Sequence, residues 1–461
     1  MGSLQQAFDF KKDYRNSITW AYLNYAELIL KTNKMLKIQE FAVLILLFCC
    51  ISSKIFSQRN VFFIHGFSGS ENSWRDIAGY LTSSFNIRNI SNHTYDTDNG
   101  VQGFVNSFNS PSYNNGSLLA QQTNDFAICH SMGGIMMRNF DLDPNNIGKI
   151  GGIITVGSPL NGAQLANSYN DLTLRNFLDN GYYQLSKGIK KDGFIQIASA
   201  FSTDLKQLFN GVEAFKYDNF VNSSGFRLSQ TTINDLLTNS NNVIRTDNNK
   251  AATATKKLSI YGSEADPAFW RLIGSANYSD NPDSGVIIKN KLADAYRMLK
   301  DFAENNFLYS LLLQDDKYYY AQLFADAADW VDNISSPGWQ RVIGAGDFER
   351  QSLCFTSKTI NWNELSACIN QNTNNYPAFQ NCVNQHSYSV TTCYTPFANA
   401  ASDGVGPASS QVGQYSTSWS NAEDPVKVNV LNHVDEPANN QKMRDAFNQV
   451  FRNSNSYFFI Q

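Results

Sequence analysis

Charge, histidine and cysteine are all sparse in this chain. Of its 461 residues, 16% are charged, five are histidine and seven are cysteine. The net charge is −4, and Lys and Arg form no cluster larger than a short pair, so there is no basic patch with which to hold a nucleic acid. No segment repeats at a fixed period, which excludes solenoids and propellers. The cysteines form no C-x-x-C pair, which argues against a zinc site. The apolar run Phe41–Ile51 is about eleven residues long, too short to span a bilayer but suited to the core of an export signal. Lys37 precedes it and the polar Ser57 and Gln58 follow. Residues 35–57 are therefore expected to be a cleaved signal peptide, which gives an exported mature chain with no transmembrane segment. Residues 1–34 are expected to be an upstream extension from a misassigned start, outside the fold.

What is present is apolar surface. At 42% hydrophobic residues, the chain can bury a large core, as one domain with insertions or as two domains. Val61–Ile64 is a continuous apolar run ending in His65-Gly66, as in a strand buried on both faces. A helical spacing follows (Trp74, Ile77, Leu81), then a second strand in "NIRNISNHTYD" and a helix in "SLLAQQTN". "DFAIC" gives a third strand, "GGIMMRNFD" a helix, and Ile150–Val156 a fourth strand. "KLSIYGSEADP" and "PVKVNVLNH" add strands, and Met443, Phe447, Val450 and Phe451 share one face of a terminal helix. Strands alternating with helices predict a parallel sheet covered on both faces. Two helical insertions, at about 163–257 and 285–345, are expected to form a cap over the sheet's carboxyl edge. Cys354, Cys368, Cys382 and Cys393 fall in a polar loop region at about 350–400. An even, local set in an exported chain favours disulfides, most simply 354 with 368 and 382 with 393.

The chemistry is carried by "DFAICHSMGGIMMRNF". A serine hydroxyl becomes a nucleophile when it stands clear of its neighbours, beside a base and near backbone donors that receive an oxyanion. A strand that runs into a helix through a tight turn presents Ser131 in this way, and Gly133 and Gly134 let strand and helix approach. Cys129 stands where the usual G-x-S-x-G pattern has its first glycine. The turn at His65-Gly66-Phe67 could add the amide of Phe67 to that of Met132 as an oxyanion hole. Among five histidines, His65 and His130 belong to the two turns, His93 precedes the serine and His386 lies among the cysteines, which leaves His433 as the base. Asp403, in an Asp-Gly turn, is the favoured acid; Asp266 is the alternative and Glu264 a more distant one. The chain order Ser131, Asp403, His433 is that of a serine–acid–histidine triad on a parallel sheet.

Together, "VFFIHGFSGSENSW", "CHSMGG", "TVGSPLNGA", "SDGVGPASSQ" and "NHVDE" resemble the secreted bacterial triacylglycerol lipases of the α/β-hydrolase superfamily. The resemblance covers about half of the mature chain and leaves the insertions and the cysteine region unexplained. It implies an α/β-hydrolase fold in which Ser131 is the nucleophile, His433 the base, Asp403 its orienting acid, and Phe67 and Met132 the oxyanion donors. An exported lipase or esterase acting on a lipid or other acyl-ester substrate follows, with transient contact at a lipid interface. Such chemistry requires no cofactor, although the likeness also implies a structural calcium at Asp435 with Asn439 as companion. An acyltransferase or amidase would use the same triad, and a non-catalytic protein could hold an apolar ligand on the same fold.

Overall fold

The computed structural model describes residues 58–92, 95–109, 122–189, 212–223, 229–238, 240–264, 269–270, 284–305, 317–345, 353–360, 368, 385, 387–394 and 401–460. The expected upstream extension and signal peptide lie outside them, as do Asp266, His93 and His386.

Eight strands are found among the described residues: β1 (Arg59–Ile64), β2 (Ile87–Asn92), β3 (Gln122–His130), β4 (Ile150–Val156), β5 (Lys256–Ser263), β6 (Leu353–Ile360), β7 (Ser387–Tyr394) and β8 (Val426–Asn429). Six of them form one sheet in the order β2-β1-β3-β4-β5-β8, every neighbouring pair parallel. Helices α1 (Arg75–Ser84), α2 (Gly100–Phe108) and α3 (Met132–Leu142) connect the first strands. The α/β-hydrolase fold expected from the sequence is the one observed, and its assignment rests on this flanked parallel sheet.

Period-two alternation decides which side chains face which layer. Val61 and Phe63 of β1, with Phe126 and Ile128 of β3, pack against Trp74, Ile77 and Leu81 and against Met443, Phe447 and Phe451 of the terminal helix α12 (Gln441–Phe451). Phe62, Ile64, Ala127 and Cys129 face the other way, onto Phe104 and Phe108 of α2 and Ile135, Met136 and Phe140 of α3. Each buried side chain of this size stabilises by roughly 1.5–3 kcal/mol. At the sheet's edge, β8 is covered on one face, so Val426 and Val428 are buried while Lys427 and Asn429 are exposed.

Among the described residues the helix between β2 and β3 is α2, upstream of the expected "SLLAQQTN". Most of that segment lies outside the described residues, and its Gln122 already belongs to β3. Gly100 and Gly103 weaken the helical signal of α2, and burial of Val101, Phe104 and Phe108 overrides it.

Both expected insertions are helical where described. The first gives α4 (Gln164–Asn170), α5 (Thr173–Ser186), α6 (Tyr217–Ser223), α7 (Gln230–Leu236) and α8 (Val243–Asn248); the second gives α9 (Ser284–Asn305), α10 (Lys317–Asp329) and α11 (Ser335–Ile343). Leu174 and Leu178 of α5, Tyr296 of α9, Phe324 of α10 and Trp339 of α11 join Phe269, Trp270 and Trp330 in a core separate from both sheet layers. No helix among the described residues is long and apolar enough to cross a membrane.

β6 and β7 pair antiparallel, with Cys354 directly opposite Cys393. Of the expected 354–368 and 382–393 pairings, the second involves Cys382, which lies outside the described residues. Cys368 is itself disulfide-bonded.

Candidate active site

The parallel strands deliver their carboxyl ends to one rim of the sheet. Ser131 stands between β3 and α3 with φ 52° and ψ −129°, a conformation that costs a non-glycine residue of order 1–3 kcal/mol. The surrounding structure enforces it: the Ser131 amide donates to the carbonyl of Val156 at the end of β4 (2.9 Å). A Cβ on Gly133 would lie 2.5 Å from the His65 carbonyl oxygen and 2.9 Å from that of Ile64, so only glycine lets α3 cross β1 this closely. Met132 opens α3, and its amide has no acceptor within the helix.

The turn after β1 is pinned from two sides. Trp74 Nε1 donates to the Ile64 carbonyl (3.0 Å). Tyr95 stacks on the His65 ring at 4.0 Å and donates its hydroxyl to the His65 carbonyl. Tyr95 escaped the sequence reading, since one tyrosine in a polar loop carries no spacing signal.

Asp403 and His433 arrive on separate loops that meet. The His433 amide donates to the Asp403 carbonyl (2.9 Å). Asp403 Oδ1 accepts from the amides of Val405 (2.9 Å) and Gly406 (2.7 Å), which leaves Oδ2 for His433 Nδ1 at 2.7 Å. On its other side the imidazole has Nε2 2.8 Å from Ser131 Oγ. Because Nδ1 faces carboxylate oxygen it carries the proton, so Nε2 accepts from the serine hydroxyl. The structure thus brings together Ser131, Asp403 and His433 in one hydrogen-bonded line. Glu264 meets the acid loop through its amide, which donates to the Ser402 carbonyl (2.5 Å).

Asp403 is fully buried, whereas 12% of the His433 side chain is exposed. Burial disfavours a charged imidazole at His433, but Asp403 and then Glu436 outweigh it and raise its pKa above the ordinary 6.5. Asp403 is also raised: burial lifts its carboxyl, His433 pulls it back, and the charge of Glu436 adds to the lift.

A cavity of about 710 Å³ opens over the serine. Phe67 and Met132, the predicted oxyanion donors, line it beside Ser131 and His433. Leu165 and Ala166 of α4, Leu236 of α7, Val405 and Val434 supply an apolar wall, and Asn72, Ser73 and Asp76 supply a polar side. The first insertion therefore shapes the space above Ser131. The second reaches the acid loop, where Trp339 Nε1 donates to the Gly404 carbonyl (2.8 Å).

Ligand-type atoms of His130, His433 and Glu436 lie within 4.8 Å of one another. His433 Nδ1 is engaged by Asp403, and His130 Nε2 lies 3.0 Å from the His433 carbonyl. Asp435 and Asn439 border a small open cavity that Arg75 also borders. Asn439 Oδ1 accepts from Arg444 Nε (2.8 Å).

No family model matches the chain, and no curated protein matches it. Among solved structures, the chain is similar to phospholipase PlaB from Legionella pneumophila at 17% identity and a TM-score of 0.29, over 50% of this chain and 43% of that one. It is similar to an N-formylmaleamic acid deformylase from Pseudomonas putida at 13% identity and a TM-score of 0.23, over 48% of this chain and 81% of that one. It is also similar to the esterase RhEst1 from Rhodococcus sp. ECU1013 at 11% identity and a TM-score of 0.24, over 50% of this chain and 78% of that one.

Proposed function

We propose that the chain is a serine hydrolase of carboxylic esters, of the lipase or esterase kind. The single observation that carries this reading is the line Ser131 Oγ, His433 Nε2, His433 Nδ1, Asp403 Oδ2, with gaps of 2.8 and 2.7 Å, at a strained strand-to-helix serine. In this mechanism His433 Nε2 takes the Ser131 proton as Oγ bonds to the ester carbonyl carbon. The carbonyl electron pair moves onto oxygen, where the amides of Met132 and Phe67 receive the charge. Collapse expels the alcohol, which takes the proton from His433, and leaves an acyl group on Ser131. Water then attacks the acyl carbon by the same route and gives its proton to His433; the free acid and the serine hydroxyl result. Asp403 steadies the imidazolium in both halves.

The apolar wall of Leu165, Ala166 and Leu236 supports an acyl chain as the group bound on that side. We extend the reading to an exported enzyme because of the segment 35–57. Turnover of a p-nitrophenyl ester by the wild type and by Ser131→Ala tests the assignment. The variant should keep its circular dichroism spectrum and lose more than about a thousandfold in kcat; a folded variant that retains turnover refutes it.

A further inference from the structure

One buried carboxylate has no part in that mechanism. Glu436 is fully buried three residues after His433, in the loop leading to α12. Its Oε1 accepts from the amide of Gly262 in β5 (3.1 Å). Its Oε2 lies 3.2 Å from His433 Nδ1 and 3.3 Å from His130 Nε2, and no well-formed hydrogen bond reaches it. Neighbouring strand ends leave space for it: a Cβ on Gly157, at φ +58°, would collide with Oε2, and one on Gly262 would lie 2.8 Å from Oε1.

A lone carboxylate in so dry a place costs several kcal/mol unless hydrogen-bond donors or positive groups face it. Here two imidazoles do, and they belong to the two halves of the site. His130 immediately precedes the nucleophile and lies under the edge of Trp74, while His433 is the base. The rings are 4.7 Å apart, and His130 Nε2 also lies 3.0 Å from the His433 carbonyl. Burial alone would lift the Glu436 carboxyl, but the imidazoles of His130 and His433 outweigh it and hold it below the ordinary range.

Resting on the serine-hydrolase reading above, we propose that Glu436 is a positioning residue: its carboxylate ties His130 of the nucleophile turn and His433 of the base loop to one point and keeps Nε2 aligned on Ser131. Asp403 fixes which nitrogen of His433 carries the proton; Glu436 fixes where the loop bearing that ring sits relative to the serine. The His433 ring is faced by Asp403 from the acid loop, Glu436 from its own loop, and His130 and Ser131 from the end of β3.

The test uses the full chain with a p-nitrophenyl ester and a fluorophosphonate probe. Glu436→Gln keeps the shape of the side chain and removes its charge. It should lower kcat about tenfold or more while KM stays within about twofold, since general-base efficiency depends on alignment and substrate contacts are untouched. His130→Gln cuts the same link from the other end and should do likewise. The double variant should lose no more than the worse single one. A kcat within about twofold of wild type for a folded Glu436→Gln, or losses in the two variants that multiply, overturns the proposal. If Glu436→Gln does not fold, His130→Gln decides by the same split between kcat and KM. Failure of the probe to label wild-type Ser131 defeats the hydrolase reading itself. Labelling of wild type and Glu436→Gln at equal rates defeats only the role given to Glu436.

Discussion

The two halves of the site are held by different means. The serine half is local: a strand end, a residue at φ 52° and a glycine pressed against β1 fix Ser131 within a few positions of chain. The acid–base half is assembled at long range, with Asp403 and His433 on separate loops joined by amide bonds to a carboxylate and by an amide-to-carbonyl bond between the loops. Strain in the first half is paid for by the sheet on both sides, whereas the second depends on side chains that terminate other parts of the fold, Trp339 and Glu436 among them. In the proposed mechanism, local geometry presents Ser131 and convergent geometry decides whether it acts as a nucleophile.

The sharpest way to break this comparison is Asp403→Asn. Asparagine keeps an oxygen for the Val405 and Gly406 amides but loses the charge that selects the His433 tautomer. By analogy with the serine protease triad, kcat should fall by about 10³–10⁴-fold with KM little changed. A stopped assay over a range of ester concentrations measures both. A fall in kcat below about tenfold would mean that the acid half matters far less than the serine half.

A smaller effect is expected at the cap's tie to the acid loop. Trp339→Phe keeps most of the buried ring but leaves the Gly404 carbonyl without its indole donor. It should lower stability by about 1–3 kcal/mol, read as a lower thermal midpoint, with a modest fall in kcat. An unchanged midpoint would mean that water or a rearranged loop replaces the bond.

The same contrast governs how much the sequence discloses. The turn around Ser131 is legible because strand, serine and glycines stand next to one another, and β1, β3, β4 and β5 read as apolar runs. His433 emerges by elimination among five histidines, and Asp403 from its Asp-Gly turn. Glu436 is invisible in "VDEP" because its meaning lies in Gly157 and Gly262, far away along the chain, whose missing side chains make room for it. The cap helices were legible as apolar segments, but their aromatic core depends on which faces meet in space.

The central claim is that Ser131 is made nucleophilic by His433, and the most direct measurement is the pH dependence of fluorophosphonate labelling with the modified residue mapped by mass spectrometry. His433 must be neutral to accept the serine proton, and Asp403 and Glu436 raise its pKa above 6.5. The label should therefore map to Ser131 alone, slowly in acid and faster as pH rises through a midpoint above 6.5. Label on another residue, or a rate on Ser131 that ignores pH across this range, would contradict the account.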